Sequence, residues 1–89
     1  MQVHLRLFSH LRVALGRRDL DLELPEGATV ATVLERLRSM VPSELESMIS
    51  GGAEGGYRLV VLVNGRRTGP DKLLQDGDVI TLLPPLGGG

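Results

Sequence analysis

Three groups of residues have types and spacings that could do chemistry: the glycine cluster GGAEGG at 51–56, the pair His4 and His10, and the terminal LLPPLGGG at 82–89. Gly51 and Gly56 have the spacing that opens a phosphate-binding loop. That loop needs lysine and then serine or threonine next, where Tyr57 and Arg58 stand here, and it must open a helix whose N-terminal N–H groups face the phosphate. The residues after Gly56 read instead as a strand, so a flexible connector is the favoured reading of the cluster. The two histidines lie at the ends of a strand-to-helix junction, with no carboxylate nearby in sequence at ligand spacing. Packing at the junction or on the surface is expected for them rather than metal binding. The acidic residues show no pair at catalytic spacing on a helix face, and a solvated surface accounts for them. No nucleophile, base and oxyanion arrangement is visible, so the chain is not expected to be an enzyme on its own.

The terminal segment is different in kind. Pro84 and Pro85 cannot donate to a sheet, so an apolar strand ending there continues as a stiff spacer. Leu86 is a possible last anchor. The residues Leu86–Gly89 can extend roughly 13 Å further. Gly87, Gly88 and Gly89 have no Cβ and can thread a slot too narrow for any side chain, carrying a carboxylate at the tip. A frayed end is the plainer alternative, but frayed ends are usually polar and mixed, and this one is braced by proline and free of charge.

Composition narrows what such a tail can be attached to. The 89 residues are room for one domain, expected over 1–85 with a flexible tail over 86–89, and a chain this short has a thin stability margin. A hydrophobic share of 42% is that of a folded globular protein. No cysteine is present, which excludes disulfides, thiolate zinc sites and cysteine nucleophiles. A net charge of −1 with mixed signs, and only Phe8 and Tyr57 as aromatics, provide neither an electrostatic footprint nor a stacking platform for nucleic acid. No apolar run reaches membrane-spanning length and no signal-peptide pattern opens the chain, so a soluble cytoplasmic protein is expected. Nine of the ten basic residues are arginine, and Lys72 is the only lysine.

The elements that must position the tail follow from periodicity. QVHLRLF alternates, with Val3, Leu5 and Leu7 on one face and Gln2, His4, Arg6 and Phe8 on the other. Ser9 is the expected cap of a short helix carrying Leu11, Ala14 and Leu15 and ended by Gly16. Leu20, Leu22 and Leu24 alternate again, before an expected type I turn at Pro25–Gly27. Val30, Val33, Leu34, Leu37 and Val41 then recur at helical spacing behind Thr29 as cap. After Pro42, Ser43 and Glu46 have capping-box spacing, opening a second short helix whose apolar side is Leu45, Met48 and Ile49. YRLVVLV reads as an interior strand, Asn64-Gly65 as a hairpin turn, RRT as a short strand, GPDKLLQDGD as a turn with a helical twist, and VITLL as the last strand. Two strands before the main helix and three after it predict an α+β β-grasp: a mixed sheet with the helix on one face and the first and last strands parallel in the middle.

Both parities of the interior strands are apolar. Leu59, Val61 and Val63 oppose Val60 and Leu62, and Ile80 and Leu82 oppose Val79 and Leu83. With helices on one face only, Phe8, Val60, Leu62 and Leu83 would form an exposed apolar patch of the kind that marks partner sites. Cover by the 51–56 loop or by the second short helix is the equal alternative.

LRLF before a short helix, LPEGATVATVLERL, VLVNG, LLQDGDVITLLPP and the terminal GG, in this order, span nearly the whole chain. On these the sequence resembles the MoaD/ThiS-type ubiquitin-like sulfur carriers, and within them the small subunit of molybdopterin synthase. The resemblance implies a ubiquitin-like β-grasp fold that binds no cofactor of its own. It implies a ubiquitin-activating-type partner enzyme that uses ATP to adenylate Gly89, and a sulfur donor that converts the adenylate to a thiocarboxylate. In the molybdopterin branch a larger synthase subunit then receives the tail. Phe8 and Leu83 fall where the family presents apolar contacts to partners. Arg67 falls where the molybdopterin branch has an apolar contact, and Gly87 where a small or polar residue is usual. Three functions stay open on these residues: sulfur carriage to molybdopterin, with tRNA thiolation or cysteine synthesis as variants; a protein modifier joined through Gly89 to lysines; and an interaction domain with an idle tail.

Overall fold

The computed structural model describes residues 1–49 and 59–84. Its strands are β1 (Gln2–Leu7), β2 (Asp19–Glu23), β3 (Val60–Val63), β4 (Arg66–Thr68) and β5 (Val79–Leu83), and its helices are α1 (Ser9–Leu15) and α2 (Val30–Arg38). A 3₁₀ segment spans Ser43–Met48. The strands form one mixed sheet in the order β2-β1-β5-β3-β4. β1 and β5 run parallel at its centre, with Leu5 beside Ile80 and Leu7 beside Leu82. Both also pair antiparallel to their outer neighbours. This is the predicted β-grasp topology.

Period two decides which side chains are buried. Val3, Leu5, Leu7, Leu22, Val61, Val63, Ile80 and Leu82 all lie on one face and are buried. α2 covers that face with Val30, Val33, Leu34 and Leu37, the i, i+3, i+4, i+7 stripe that one face of a helix presents. Leu11 of α1 and Ile49 after the 3₁₀ segment join the same core, so every described helix packs on the same side of the sheet. Thr29 is the cap of α2, and its N–H donates to Thr32 Oγ1 at 3.1 Å. Gly16 ends α1 in the left-handed region at φ 71°, donating to Arg12 O at 2.9 Å. Side chains pay a steric penalty there that glycine escapes.

Four local expectations are corrected. Phe8, not Ser9, is the cap residue of α1, and it makes no side-chain cap hydrogen bond; Ser9 already has helical geometry because β1 runs straight into the turn. The turn at Pro25 closes with Ala28 N–H to Pro25 O at 3.2 Å, but Gly27 has φ 87°. A positive φ at that third position belongs to a type II turn, which glycine accepts without strain. The capping box at Ser43 and Glu46 does not form: Pro42 is the cap position, without a side-chain cap bond, and the tighter 3₁₀ winding follows. Such winding is common in pieces this short. Residues 69–78 form successive turns instead of a helical twist, with one isolated bridge between Leu73 and Thr29. Their backbone is used by α2, since Val30 N–H donates to Lys72 O at 3.0 Å and Ala31 N–H to Pro70 O at 2.9 Å.

The Asn64-Gly65 hairpin is as read, with φ 52° and 86°, the pair of positive angles that a type I′ turn requires. Asn64 also braces β5. Its Nδ2 donates to Asp78 Oδ1 at 2.9 Å, and its Oδ1 accepts from Val79 N–H at 3.0 Å. Asp78 Oδ2 accepts from Gln75 N–H at 2.8 Å, and the residue is buried. Asp78→Ala removes the acceptor of two part-buried hydrogen bonds and is expected to cost about 1–2 kcal/mol. Urea denaturation followed by circular dichroism checks this; a loss below about 0.5 kcal/mol would show that the brace contributes little.

Candidate functional site

The face of the sheet away from α2 is built by the other parity. Across its middle row lie Asp19, Arg6, Thr81, Leu62 and Arg67, set side by side by the register of all five strands. At one end of the sheet Val60 pairs with Leu83, and Phe8 follows Leu7, whose neighbour is Leu82. The predicted cluster of Phe8, Val60, Leu62 and Leu83 is therefore brought to one face. Phe8 is 41% exposed, and Val60, Leu62 and Leu83 are half-buried. Val79, two residues before Thr81 on β5, shares this face and is half-buried. The alternation of VITLL already sets it on the same side as Leu83, although the expected patch does not include it. Among the described residues no helix covers this face; residues 51–56, the alternative cover, lie outside the described residues.

Charge is distributed unevenly over the face. On the β1–β2 side, His4 bridges two carboxylates of the neighbouring strand, with Nε2 at 3.6 Å from Asp19 Oδ1 and Nδ1 against Asp21 Oδ1. The expectation that His4 has no carboxylate nearby holds along the chain and fails across the sheet, because the β1–β2 register places Asp21 opposite His4. Among the described residues no group of three or more His, Asp or Glu could hold a metal ion. Arg67 stands on the opposite edge strand beside Leu62 and is exposed. Arg67, Arg66 and Lys72 also line a groove of about 390 Å³ running from this edge toward residues 72–75, which the sequence did not reveal.

The apolar cluster stands next to the exit of the chain. β5 carries Leu83 and stops at Pro84, which is exposed, as a residue without an N–H must stop a strand. Pro85, Leu86, Gly87, Gly88 and Gly89 lie outside the described residues. No helix among the described residues is long and apolar enough to cross a membrane.

A five-stranded mixed sheet grasping one main helix, with its open face apolar at the end where the chain leaves, defines the class of ubiquitin-like β-grasp proteins. The chain belongs to the ThiS family, which it matches over residues 5–89. It is 31% identical to small archaeal modifier protein 3 of Haloferax volcanii, with each chain covered completely. It is 29% identical to the molybdopterin synthase sulfur carrier subunit of Arabidopsis thaliana, over 100% of this chain and 84% of that one. The crystal structure of SAMP1 from Haloferax volcanii superposes with a TM-score of 0.82 at 30% identity, again with each chain covered completely. These relatives place the chain among small ubiquitin-like sulfur carriers and modifiers.

Proposed function

We propose that this protein is a sulfur carrier loaded at Gly89, serving as the small subunit of a molybdopterin synthase. The observation that carries the reading is the apolar cluster of Phe8, Val60 and Leu83 beside the strand that leads into Pro84 and the glycines. A partner that covers this face receives the tail in a set direction, and the apolar area removed from water stabilises the complex. A ubiquitin-activating-type enzyme supplies ATP. The Gly89 carboxylate oxygen attacks the α-phosphorus and pyrophosphate leaves. A sulfur nucleophile then attacks the acyl carbon, the bond to AMP breaks, and a thiocarboxylate remains. A larger synthase subunit takes that sulfur into the pterin precursor. Pro84, Pro85 and Leu86 space the tip from the body, while Gly87 and Gly88 thread the partner's slot. The chemistry needs no cysteine, because the sulfur is carried on the main chain.

The 31% identity to an archaeal modifier protein favours a second reading, conjugation through Gly89 to lysines of other proteins. Both begin with the same activation. The intact mass of the protein from its native cell, with fragmentation of its C-terminus, separates them. An oxygen-to-sulfur exchange at Gly89 supports the carrier, and larger species joined through Gly89 to lysine support the modifier. A chain that stays unmodified when incubated with activating enzyme, ATP and a sulfur source overturns both.

Phe8→Ala is expected to weaken binding to the activating enzyme about tenfold or more, the loss of an aromatic anchor at a contact. Its melting temperature should fall by only a few degrees, because the ring is 41% exposed. Calorimetric titration and a thermal melt check the two together. A large fall in melting temperature with unchanged binding would make Phe8 a core residue.

A further inference from the structure

Asn64 is the only asparagine in the chain, and the residue after it is glycine. The two form the β3–β4 turn, and both are exposed. An Asn-Gly pair carries chemistry of its own. The backbone nitrogen of the glycine can attack the side-chain amide carbon of the asparagine, and glycine, without a Cβ, leaves the approach unobstructed. The nucleophile is available here. Among the described residues Gly65 N–H has no acceptor, and nothing lies within 4 Å of where a side chain on Gly65 would stand.

The amide carbon is in the opposite situation. Asn64 Nδ2 donates to Asp78 Oδ1 at 2.9 Å, and its Oδ1 accepts from Val79 N–H at 3.0 Å. These bonds hold the carboxamide against the start of β5. The backbone is held as well, since Asn64 N–H donates to Val79 O at 2.8 Å. The φ angles of 52° and 86° are those of a type I′ turn, in which the first ψ is about 30°. A five-membered ring must bring Gly65 N nearly into eclipse with Asn64 Cβ, which needs a ψ of roughly −120°, that of a type II′ turn. The two turns differ by a flip of the peptide between Asn64 and Gly65, and glycine accepts either side of it.

We propose that Asn64 is a deamidation site latched by Asp78. The side chain must leave Asp78 and Val79, and the central peptide of the turn must flip, before the reaction can begin. Gly65 N then gives its proton to hydroxide or water and bonds to Asn64 Cγ. The Cγ–Nδ2 bond breaks, and ammonia leaves with a proton from solvent. Water adds to the cyclic imide and breaks one of its two C–N bonds. The break at Cγ leaves an aspartate in place of Asn64, and the break at the main-chain carbon leaves an isoaspartate. Neither product can rebuild the brace, because a carboxylate has no N–H for Asp78 and repels it. An opening of the turn is thereby made permanent at the point where β5 begins. The site does not depend on the chemistry of the tail.

Incubation of the full chain in mildly alkaline buffer tests the proposal, with intact mass and peptide mapping as the readouts. Asn64 is expected to react at least about tenfold faster in concentrated urea than in native buffer. Asp78→Ala should speed the native reaction roughly five- to thirtyfold, the rise in open population that the lost brace produces. Val33→Ala is the control, a truncation of a fully buried residue of α2 outside the brace. It should lower the melting temperature at least as much as Asp78→Ala and leave the native reaction within about twofold, because the turn opens locally. Circular dichroism confirms that the variants are folded. Should Asp78→Ala not be, Asp78→Asn replaces it, keeping the shape of the side chain with one acceptor oxygen in place of two. Equal rates in urea and native buffer overturn the proposal, as does an Asp78 variant no faster than the unaltered chain. So does a Val33→Ala chain that reacts as fast as the Asp78 variant, since protection would then belong to the fold as a whole and not to the latch.

Discussion

Removing Gly88 and Gly89 is expected to abolish adenylation while leaving the melting temperature within about a degree of the intact chain. Two extended residues span roughly 7 Å, so the new terminal carboxylate stops that far short of the α-phosphorus. A misplacement of only 1 Å can cost about a hundredfold in rate, and a loss beyond about a thousandfold is expected. The fold is spared because the deletion lies past β5, which ends at Leu83. Pyrophosphate release with a cognate activating enzyme is the measurement. Turnover within tenfold of the intact chain would mean that the tail is idle, and the proposed function would fall with it. Gly89→Ala should act in the same direction and less strongly, because its carboxylate reaches the site but an added methyl must fit the slot.

Ile80→Ala should have the largest effect on stability. Ile80 is fully buried on the central strand, between Leu5 of β1 and Val63 of β3. Truncating it removes apolar contacts and leaves a cavity that two paired strands cannot close, at a cost of about 3–4 kcal/mol. A chain of this length has roughly 4–13 kcal/mol to lose. The melting temperature should therefore fall by about 15–25 °C. Leu62→Ala is the internal control. Leu62 lies on the adjacent strand but on the open face, where it is half-buried, and the expected loss is about 1 kcal/mol. Equal losses from the two variants would show that the open face is as tightly packed as the core, and the partner-binding reading of that face would not survive.

The contrast between Ile80 and Leu62 also marks what periodicity can and cannot convey. Alternation in VITLL and VVLV separates the two faces correctly, because side chains on a strand must point to opposite sides. It cannot say which apolar face a helix will cover when both are apolar. β1 resolves it, because only its Val3, Leu5 and Leu7 parity is apolar and the register sets Leu5 and Leu7 beside Ile80 and Leu82, so α2 buries its stripe of Val30, Val33, Leu34 and Leu37 on that face. The errors lie where the reading depended on local hydrogen bonds. Ser9, Ser43 and Glu46 have cap-forming chemistry, but a cap depends on where the preceding strand or proline directs the chain. Residues 69–78 looked weakly helical, yet their carbonyls accept from the first turn of α2, a use invisible in one dimension.

The amino-acid sequence by itself determined the β-grasp order of elements, the Asn64-Gly65 hairpin, the end of β5 at proline and the family. Each of these rests on near-neighbour spacing or on the fixed φ and missing N–H of particular residues. Tertiary structure alone decided that His4 lies between Asp19 and Asp21, and that Lys72 shares a groove with Arg66 and Arg67. Those juxtapositions join residues far apart in the chain. They depend on strand register, which is set by burying the whole apolar face at once and not by any local run of residues.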